Sequence, residues 1–326
     1  FRNRIINGNF DIWQRGTSQT SSGYGSVDRW QNVHSGSTKT ASQGVFTVGQ
    51  TEVPGNPKYY LQHEVSSVAG SGNRVLVNQR IEGVSTLAGQ TATLSFWAKA
   101  DSNKSIATEF VHNFGTGGSP SSALTSIEVT THNLTTSWQK FTATVSIPSI
   151  SGKTIGSDNN DYISFAFWFD AGSNYNSRTN SLGQQSGTFD IAQVQLEEGT
   201  VATPFEHRPI SVELSLCQRY AHFIRPASQY AAIGVGRAWS GTQGNAHVYL
   251  PVSMRGAIAI EYSDFNHFDL PPAGEYINGL HNDGSTKQTV KVGWVKNSGV
   301  SLGTYYQLEF EDSNWQNAYL GFTSEL

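Results

Sequence analysis

Two tryptophans lie among polar residues at the spacing of β-strands. In residues 92–100 (ATLSFWAKA), Trp97 shares its side of the strand with a serine and a lysine. In residues 162–170 (YISFAFWFD), Trp168 shares its side with tyrosine, serine and alanine. Because side chains alternate across a strand, the leucine and phenylalanine faces predict the core and leave both tryptophans outside it. An indole plane outside a core can stack on the apolar face of a sugar ring.

Amide and guanidinium side chains extend this pattern. Residues 73–81 turn Asn78 and Arg80 outward by the same parity, and Gln62 lies in an earlier strand. Such groups donate hydrogen bonds to sugar hydroxyls. We therefore predict a carbohydrate site on the open face of a β-sandwich, formed by Trp97, Trp168, Arg80, Asn78 and Gln62. The alternative is that the tryptophans seal a sheet against a loop or a neighbouring subunit.

A second group of residues has the ligand types of a metal site. Asn9 and Asp11 (NGNFD) lie near the start, and Asp190 (FDIAQVQLE) lies in the last strand pattern before residue 200. Carboxylate and amide oxygens are the ligands that calcium prefers. We predict a structural calcium at Asn9, Asp11 and Asp190, with ordinary turn or edge residues as the alternative.

Signals for catalysis are weak. A glycoside hydrolase needs two carboxylates in one site, and nothing in the sequence pairs the carboxylates that are present. There is no GxSxG elbow, no HExxH motif and no phosphate loop. The lone Cys217 lies on the apolar side of a predicted helix, where a packed thiol is expected. The sequence therefore predicts a binding protein and not an enzyme.

Composition excludes several kinds of partner. The net charge is −4 and 14% of residues are charged, without a Lys/Arg cluster, so no nucleic-acid binding is expected. No run approaches the roughly 18 apolar residues of a membrane span, so we expect no membrane insertion. A single cysteine excludes an intrachain disulfide framework and suits assembly in a reducing cytoplasm. Because the chain begins at Phe1 and not at methionine, we expect a fragment or a processed product.

The order of the patterns along the chain predicts two β-domains. Short alternating runs separated by Gly, Ser, Asn and Asp are typical of a sandwich or jelly roll. Pro204 and Pro209 mark an extended connector, and Ser211 has the chemistry of a helix N-cap. We predict an all-β fold: a jelly-roll β-sandwich over residues 1–199, a linker over 200–210, and a smaller β-sandwich domain over 211–326 opened by a short helix.

Several separated segments also resemble phage tail-fibre and receptor-binding spike proteins. The sequence segments that carry the resemblance are IINGNFDIWQRGTS (5–18) with VDRW (27–30), QRIEG with LAGQTATLSFWAKA (79–100), QLEEG, ATPFEHRP and LSLCQRY (within 192–220), LPVSMRG (250–256) and TSEL (323–326). The order of these segments along the chain is as specific for the resemblance as the residues within them. Residues 101–187 and 263–322 match nothing that we can name.

The resemblance implies a jelly roll related to carbohydrate-binding modules, with a structural calcium between its first and last strands, where Asp11 and Asp190 fall. It also implies a homotrimeric tail fibre or capsid head spike on the virion surface, assembled in the host cytoplasm beside other fibre or baseplate proteins. The implied partner is bacterial surface polysaccharide, either capsule or lipopolysaccharide.

Three functions follow as hypotheses. The first is a non-catalytic receptor-binding fibre or spike. The second is a capsule depolymerase, which requires two carboxylates, or a Tyr/His pair, to converge beside Trp97 and Trp168. The third is a structural fibre tip or assembly protein, whose outward aromatic residues would be buried between subunits.

Overall fold

A computed structural model describes residues 1–271, 277–296, 300–311 and 315–326. Contacts divide the chain into two units, residues 1–213 with Leu326, and residues 214–325. The segment predicted as a linker, residues 200–210, belongs to the first unit. Arg208 donates to the backbone oxygen of Ile5 at 3.1 Å, and Glu206 accepts from the backbone nitrogen of Asn3 at 3.0 Å. Charged side chains thus bind the proline-marked connector to the N-terminal segment.

The first unit is built almost entirely of strands, as predicted. In chain order they are β1 (Ser18–Gln19), β2 (Gly23–Tyr24), β3 (Gln31–Ser35), β4 (Thr38–Val45), β5 (Tyr59–Ser66), β6 (Arg74–Glu82), β7 (Thr91–Ala100), β8 (Lys104–Asn113), β9 (Leu124–Leu134), β10 (Gln139–Ser146), β11 (Tyr162–Ala171) and β12 (Gly187–Glu198). A 3-10 turn (Ser173–Tyr175) and the four-residue helix α1 (Asn176–Thr179) follow β11. No sequence pattern predicted these two short elements.

Two six-stranded antiparallel sheets form a jelly-roll sandwich. The β12 sheet has the order β1-β4-β5-β12-β7-β10, and the β11 sheet has the order β2-β3-β6-β11-β8-β9. Residues of both sheets share one hydrophobic core. Phe165 and Phe167 of β11 and Leu94 and Phe96 of β7 are fully buried in that core. The predicted parity of both strands is therefore confirmed, and each such phenylalanine contributes roughly 1.5–3 kcal/mol by leaving water.

Helix α2 (Ile210–Gln218) begins one residue before the predicted N-cap, Ser211. Its first turn is closed at Pro209, whose carbonyl accepts from the backbone nitrogens of Val212 and Glu213 at 2.9 and 3.1 Å. Cys217 is buried, as expected of a packed thiol. Among the described residues, no helix has the length and apolar character that a membrane span requires.

The second unit is a smaller all-β domain with a hydrophobic core of its own. Its described strands are β13 (Ala221–Ile224), β14 (Ala232–Ala238), β15 (Gln243–Tyr249), β16 (Ala259–Tyr262), β17 (Phe268–Asp269), β18 (Gly279–Ser285), β19 (Thr289–Val295), β20 (Tyr305–Phe310) and β21 (Leu320–Thr323). They form one sheet in the order β13-β21-β16 and another in the order β17-β20-β14-β15-β19-β18.

Candidate functional site

A groove crosses the outer face of the β11 sheet, because the central strand carries short side chains there. Ser164 lies opposite Arg80, and Ala166 lies opposite Asn78, with β8 on the other side. Longer side chains stand on the strands to either side and leave a trough above these two positions. The trough has a volume of about 340 Å³.

We call this trough the β11 groove. Its lining comes from strands β3, β6, β8 and β11 and from the segment that follows β11. The lining residues are Gln31, Val33, Arg74, Leu76, Asn78, Arg80, Glu109, Val111, Tyr162, Ser164, Ala166, Trp168, Tyr175 and Arg178. Trp168 and Tyr162 mark its two ends, and six residues of strand separate them by about 20 Å.

Trp168 forms one end of the groove without being exposed. Its side chain is fully buried, and Tyr175 and Arg178 cover it. The Tyr175 ring lies 5.3 Å from the indole, and the Arg178 guanidinium lies 5.0 Å above it. The sequence placed Trp168 outside the main core, and the structure agrees. The prediction that its ring stands open for a sugar is wrong, because the 3-10 turn and α1 fold over it.

The carboxylate of Glu109 holds this end together. Arg178 donates to it through Nε and Nη2 at 2.7 and 2.8 Å, in the parallel fork that suits a carboxylate. The indole Nε1 of Trp168 donates to the same group at 3.0 Å, and so does the backbone nitrogen of Ser126 at 2.9 Å. Glu109 is fully buried and its charge is balanced, so it serves the groove as a structural anchor.

Two more arginines stand at the ends of the groove, each on a tyrosine. The Arg80 guanidinium lies 4.7 Å from the centre of the Tyr162 ring. Arg80 also donates to the backbone oxygen of Leu326, a residue that groups with this unit, at 2.5 Å. The Arg74 guanidinium lies 5.1 Å from the Tyr175 ring and donates to its hydroxyl. Cation–π contact holds each planar fork in a fixed place.

Amide groups line the middle of the groove. Asn78 Nδ2 donates to Gln31 Oε1 at 3.3 Å, and the buried Oδ1 of Asn78 has no hydrogen-bond partner among the described residues. An unpaired buried acceptor costs free energy unless a ligand or water hydroxyl satisfies it. The middle of the groove thus offers the amide donors of Asn78 and Gln31 to a polar ligand.

The five predicted carbohydrate-binding residues lie on two different faces and cannot form one site. Trp168, Asn78 and Arg80 lie on the outer face of the β11 sheet, where the groove brings them together. Trp97 and Gln62 belong to β7 and β5 of the β12 sheet. Strand parity gave the side of Trp97, Trp168, Asn78 and Arg80 correctly, but it could not tell which of the two sheets a strand joins.

Trp97 lines a separate cavity of about 440 Å³, between the β12 sheet and the loops at residues 54–55 and 202–207. It packs beside an aromatic cluster that contains Phe46, Tyr60 and Trp138. Lys140 and His207 are the charged or titratable residues of the cavity lining, which is otherwise mostly apolar.

Gln62 and Asp190 bind each other on the same face. Gln62 Nε2 donates to Asp190 Oδ1 at 2.9 Å, and Lys99 Nζ lies 3.7 Å from Asp190 Oδ2. Burial raises the pKa of the Asp190 carboxyl, and the contacts from Gln62 and Lys99 oppose that rise. Both residues therefore have structural partners where the sequence predicted ligand contacts.

The predicted calcium ligands are not brought together. Asn9 follows Gly8, which approaches Val194 so closely that a Cβ would lie 2.2 Å from the Val194 oxygen. Val194 lies four residues beyond Asp190 on β12, on the order of 10 Å away. Among the described residues Asp190 contacts Gln62 and Lys99, whereas Asn9 and Asp11 contact each other, so no observed contact joins the three predicted ligands.

Asn9 and Asp11 do remain neighbours. Asn9 Nδ2 donates to Asp11 Oδ2 at 2.9 Å, and burial raises the pKa of Asp11 despite that hydrogen bond and the nearby His207 and Lys58. Among the described residues, the buried Oδ1 of Asn9 has no hydrogen-bond partner. In the described part of the chain, no group of three or more His, Cys, Asp or Glu side chains is arranged to hold a metal. The structural calcium stays a prediction, and these residues as they stand do not fit it.

Several groove residues were missed by reasoning from the sequence. Arg74 and Tyr162 have the same parity as Arg80 and Trp168, so a stricter use of strand alternation would have found them. Tyr175 and Arg178 lie in short elements without a periodic pattern, and nothing in the sequence indicates that they fold over Trp168.

Comparisons with known proteins give structural similarities of low score. No protein-family model and no curated protein matches the chain. A solved CBM4 structure has 18% identity and a TM-score of 0.33, covering 60% of this chain and 99% of its own. A family 11 carbohydrate-binding module from Clostridium thermocellum, in complex with a β-1,3-1,4-mixed-linked tetrasaccharide, has 10% identity and a TM-score of 0.33, covering 57% and 98%.

A tailspike protein is similar at the same level. The enzymatically active domain of tailspike protein 4 of bacteriophage CBA120 has 13% identity and a TM-score of 0.33, covering 60% of this chain and 21% of its own. A TM-score of this size is too low to carry a conclusion about function.

Proposed function

We propose that the first unit is a non-catalytic carbohydrate-binding domain and that its ligand lies in the β11 groove. The observation that carries the proposal is the groove itself. Its floor of small residues is flanked by Asn78, Gln31, the Arg80–Tyr162 stack and the Arg74–Tyr175 stack. Aromatic edges, amides and guanidinium groups are the side chains that recognise a chain of hydroxylated rings.

Binding is favoured over cleavage by the carboxylates beside the two tryptophans. A depolymerase would need two carboxylates, or a Tyr/His pair, to converge beside Trp97 or Trp168. Glu109 is the carboxylate in the β11 groove, and Arg178, Trp168 and Ser126 already occupy its oxygens. Among the residues that line the Trp97 cavity there is no aspartate or glutamate. These contacts support a binding protein.

We further propose a receptor-binding fibre or spike on the surface of a phage-like particle, on its tail or its head. The segments that resemble tail-fibre proteins support this proposal, and the polar, open groove suits a long bacterial surface polysaccharide. In a homotrimer, binding at one site would hold the polysaccharide near the other two sites at a high effective concentration. Three weak sites would therefore give strong overall attachment. Other fibre or baseplate proteins of the particle would be its structural partners.

The second candidate, a structural tip or assembly protein, is favoured by one observation in the second unit. Val235, Tyr249 and Tyr305 all project from the outer face of the sheet that contains β14, β15 and β20, and they are 56%, 79% and 73% exposed. Such large apolar side chains on one face are typical of a surface that another chain covers.

A groove-filling substitution tests the proposed site. Ser164 faces the groove and not the core, so Ser164→Trp fills the trough while leaving the sandwich intact. Thr144→Trp, at an exposed position of β10, is the matched control. We expect the parent and Thr144→Trp to bind members of a panel of bacterial surface polysaccharides, and Ser164→Trp to lose that binding with an unchanged melting temperature.

Asn78→Ala gives a second, smaller change in case the tryptophan disturbs folding. We expect it to weaken binding about tenfold, because it removes amide hydrogen bonds from the middle of the groove. Equal binding by the parent, Ser164→Trp and Asn78→Ala would exclude the β11 groove. The search would then move to the Trp97 cavity.

A further inference from the structure

We infer that the β11 groove recognises an acidic polysaccharide, one that carries carboxylates as hexuronate units. The inference rests on the proposed function, because it names the chemistry of the ligand for that same groove. Its basis is the charge of the groove lining, which differs in sign from the chain as a whole.

The charged side chains of the groove are three arginines and one glutamate. Glu109 is ion-paired with Arg178. No other carboxylate is among the lining residues to balance the positive charges of Arg74 and Arg80. Neither arginine forms an ion pair with an aspartate or glutamate among the described residues. The chain has a net charge of −4, so this positive groove is a local arrangement.

Arg80 gives one donor to the backbone oxygen of Leu326 and Arg74 gives one to the Tyr175 hydroxyl, so each guanidinium keeps further N–H donors for a carboxylate. A guanidinium has five N–H donors in a rigid fork, and a carboxylate accepts two of them in parallel. Contact with the rings of Tyr162 and Tyr175 restricts the guanidinium groups of Arg80 and Arg74 before a ligand arrives. Less conformational freedom is lost on binding, so each arginine discriminates between a charged and a neutral sugar.

The spacing of the two arginines indicates a polymer. Arg74 and Arg80 are six residues apart on β6, which corresponds to about 20 Å. A single small anion cannot contact both, whereas a chain lying along the groove can present carboxylates to each end. Ser164, Asn78 and Gln31 between the two ends meet the hydroxyls of the intervening units.

The test measures binding of the full chain to polygalacturonate, polyglucuronate and alginate by titration calorimetry at low and high salt. Each polymer is paired with its carboxyl-reduced form, and dextran sulfate is the control for charge alone. We expect at least one polyuronate to bind, its carboxyl-reduced form to bind at least about tenfold more weakly, and the affinity to fall as salt screens the charges. Dextran sulfate should bind more weakly than that polyuronate.

Variants assign the effect to the two arginines. Arg74→Gln and Arg80→Gln should each weaken binding about tenfold, and Arg80→Lys should recover only part of it because lysine lacks the planar fork. Lys153→Gln removes an exposed charge of the same unit away from the groove and should change nothing.

Three results would overturn the acidic ligand: no polyuronate binds, the carboxyl-reduced polymers or dextran sulfate bind as well, or the arginine variants bind like the parent. A panel of neutral polysaccharides distinguishes failure of the acidic ligand from failure of the β11 groove as the binding site. If a neutral polymer binds and Ser164→Trp abolishes that binding, the groove stands and only the acidic ligand is wrong. If no polysaccharide of either kind binds, both proposals fail.

Discussion

At the scale of single residues, Glu109 is the side chain on which the Trp168 end of the groove depends. It lies on β8 with no exposed surface and accepts hydrogen bonds from Arg178, Trp168 and Ser126. A buried carboxylate is stable only while such partners compensate its lost hydration. The groove wall is therefore held by one charge and its donors.

Arg178→Gln is expected to destabilise the first unit, because it leaves the Glu109 charge buried and poorly compensated. Breaking a buried pair costs about 3–5 kcal/mol, and we expect roughly 2 kcal/mol here since Arg178 remains 32% exposed. Urea unfolding at pH 7 measures the change. Arg74→Gln, which has no carboxylate partner, should cost much less. Equal costs for the two variants would contradict the anchoring role of Glu109.

The sequence predicted which side of a strand each side chain faces. It did not predict which other segments of the chain cover that side. Trp168 and Trp97 lie outside the main core as alternation predicted. Whether such a ring is open depends on what the chain places above it, and Tyr175 reaches Trp168 from a segment with no periodic pattern. The exposure of an outward aromatic is thus a tertiary property.

At the scale of elements, the strands with continuous apolar alternation were predicted well. The alternation over residues 162–170 predicted β11 to within one residue, because its phenylalanines all lie on one side of the strand. Strands β1 to β4 were largely missed: residues 18–45 are rich in serine, threonine and glycine, and few of them show alternation. Sheet membership could not be read at all, since it depends on long-range pairing.

Strands β5 and β9 bring imidazole side chains into the sandwich, and this predicts acid sensitivity. Burial lowers the pKa of His63 to about 3 and that of His132 to about 4. Below pH 6.5 these two histidines bind protons in the unfolded chain, whereas in the folded chain they stay neutral until the pH approaches their lowered pKa values. The free energy of unfolding should therefore fall as the pH drops from about 6.5 towards 4, by about 1.4 kcal/mol per pH unit for each histidine.

Urea unfolding of the parent and of His63→Gln between pH 7 and pH 4.5 measures this dependence. In His63→Gln the free energy of unfolding should fall less steeply with decreasing pH, by the contribution of one proton. His281→Gln, at an exposed position of the second unit, should keep the parental pH dependence. The raised pKa values of Asp11 and Asp190 act in the opposite direction near the acid end. An unchanged slope in His63→Gln would show that this imidazole does not carry the effect.

At the scale of the whole molecule, the chain consists of two all-β units whose hydrophobic cores share no residue. The predicted all-β class and the jelly roll are confirmed, while the connector proved to belong to the first unit. The proposed binding site lies wholly within that unit, on the outer face of one sheet. In the second unit, Val235, Tyr249 and Tyr305 are exposed on one face of a sheet.

The measurement that tests the central claim most directly is a map of ligand contacts in the full chain. A ¹⁵N spectrum of the tryptophan and arginine side chains would be recorded with increasing amounts of a bound bacterial polysaccharide fragment. We predict that the Arg74, Arg80 and Trp168 signals shift together while the Trp97 signal stays in place. A shift of Trp97 without the two arginines would contradict a binding site in the β11 groove.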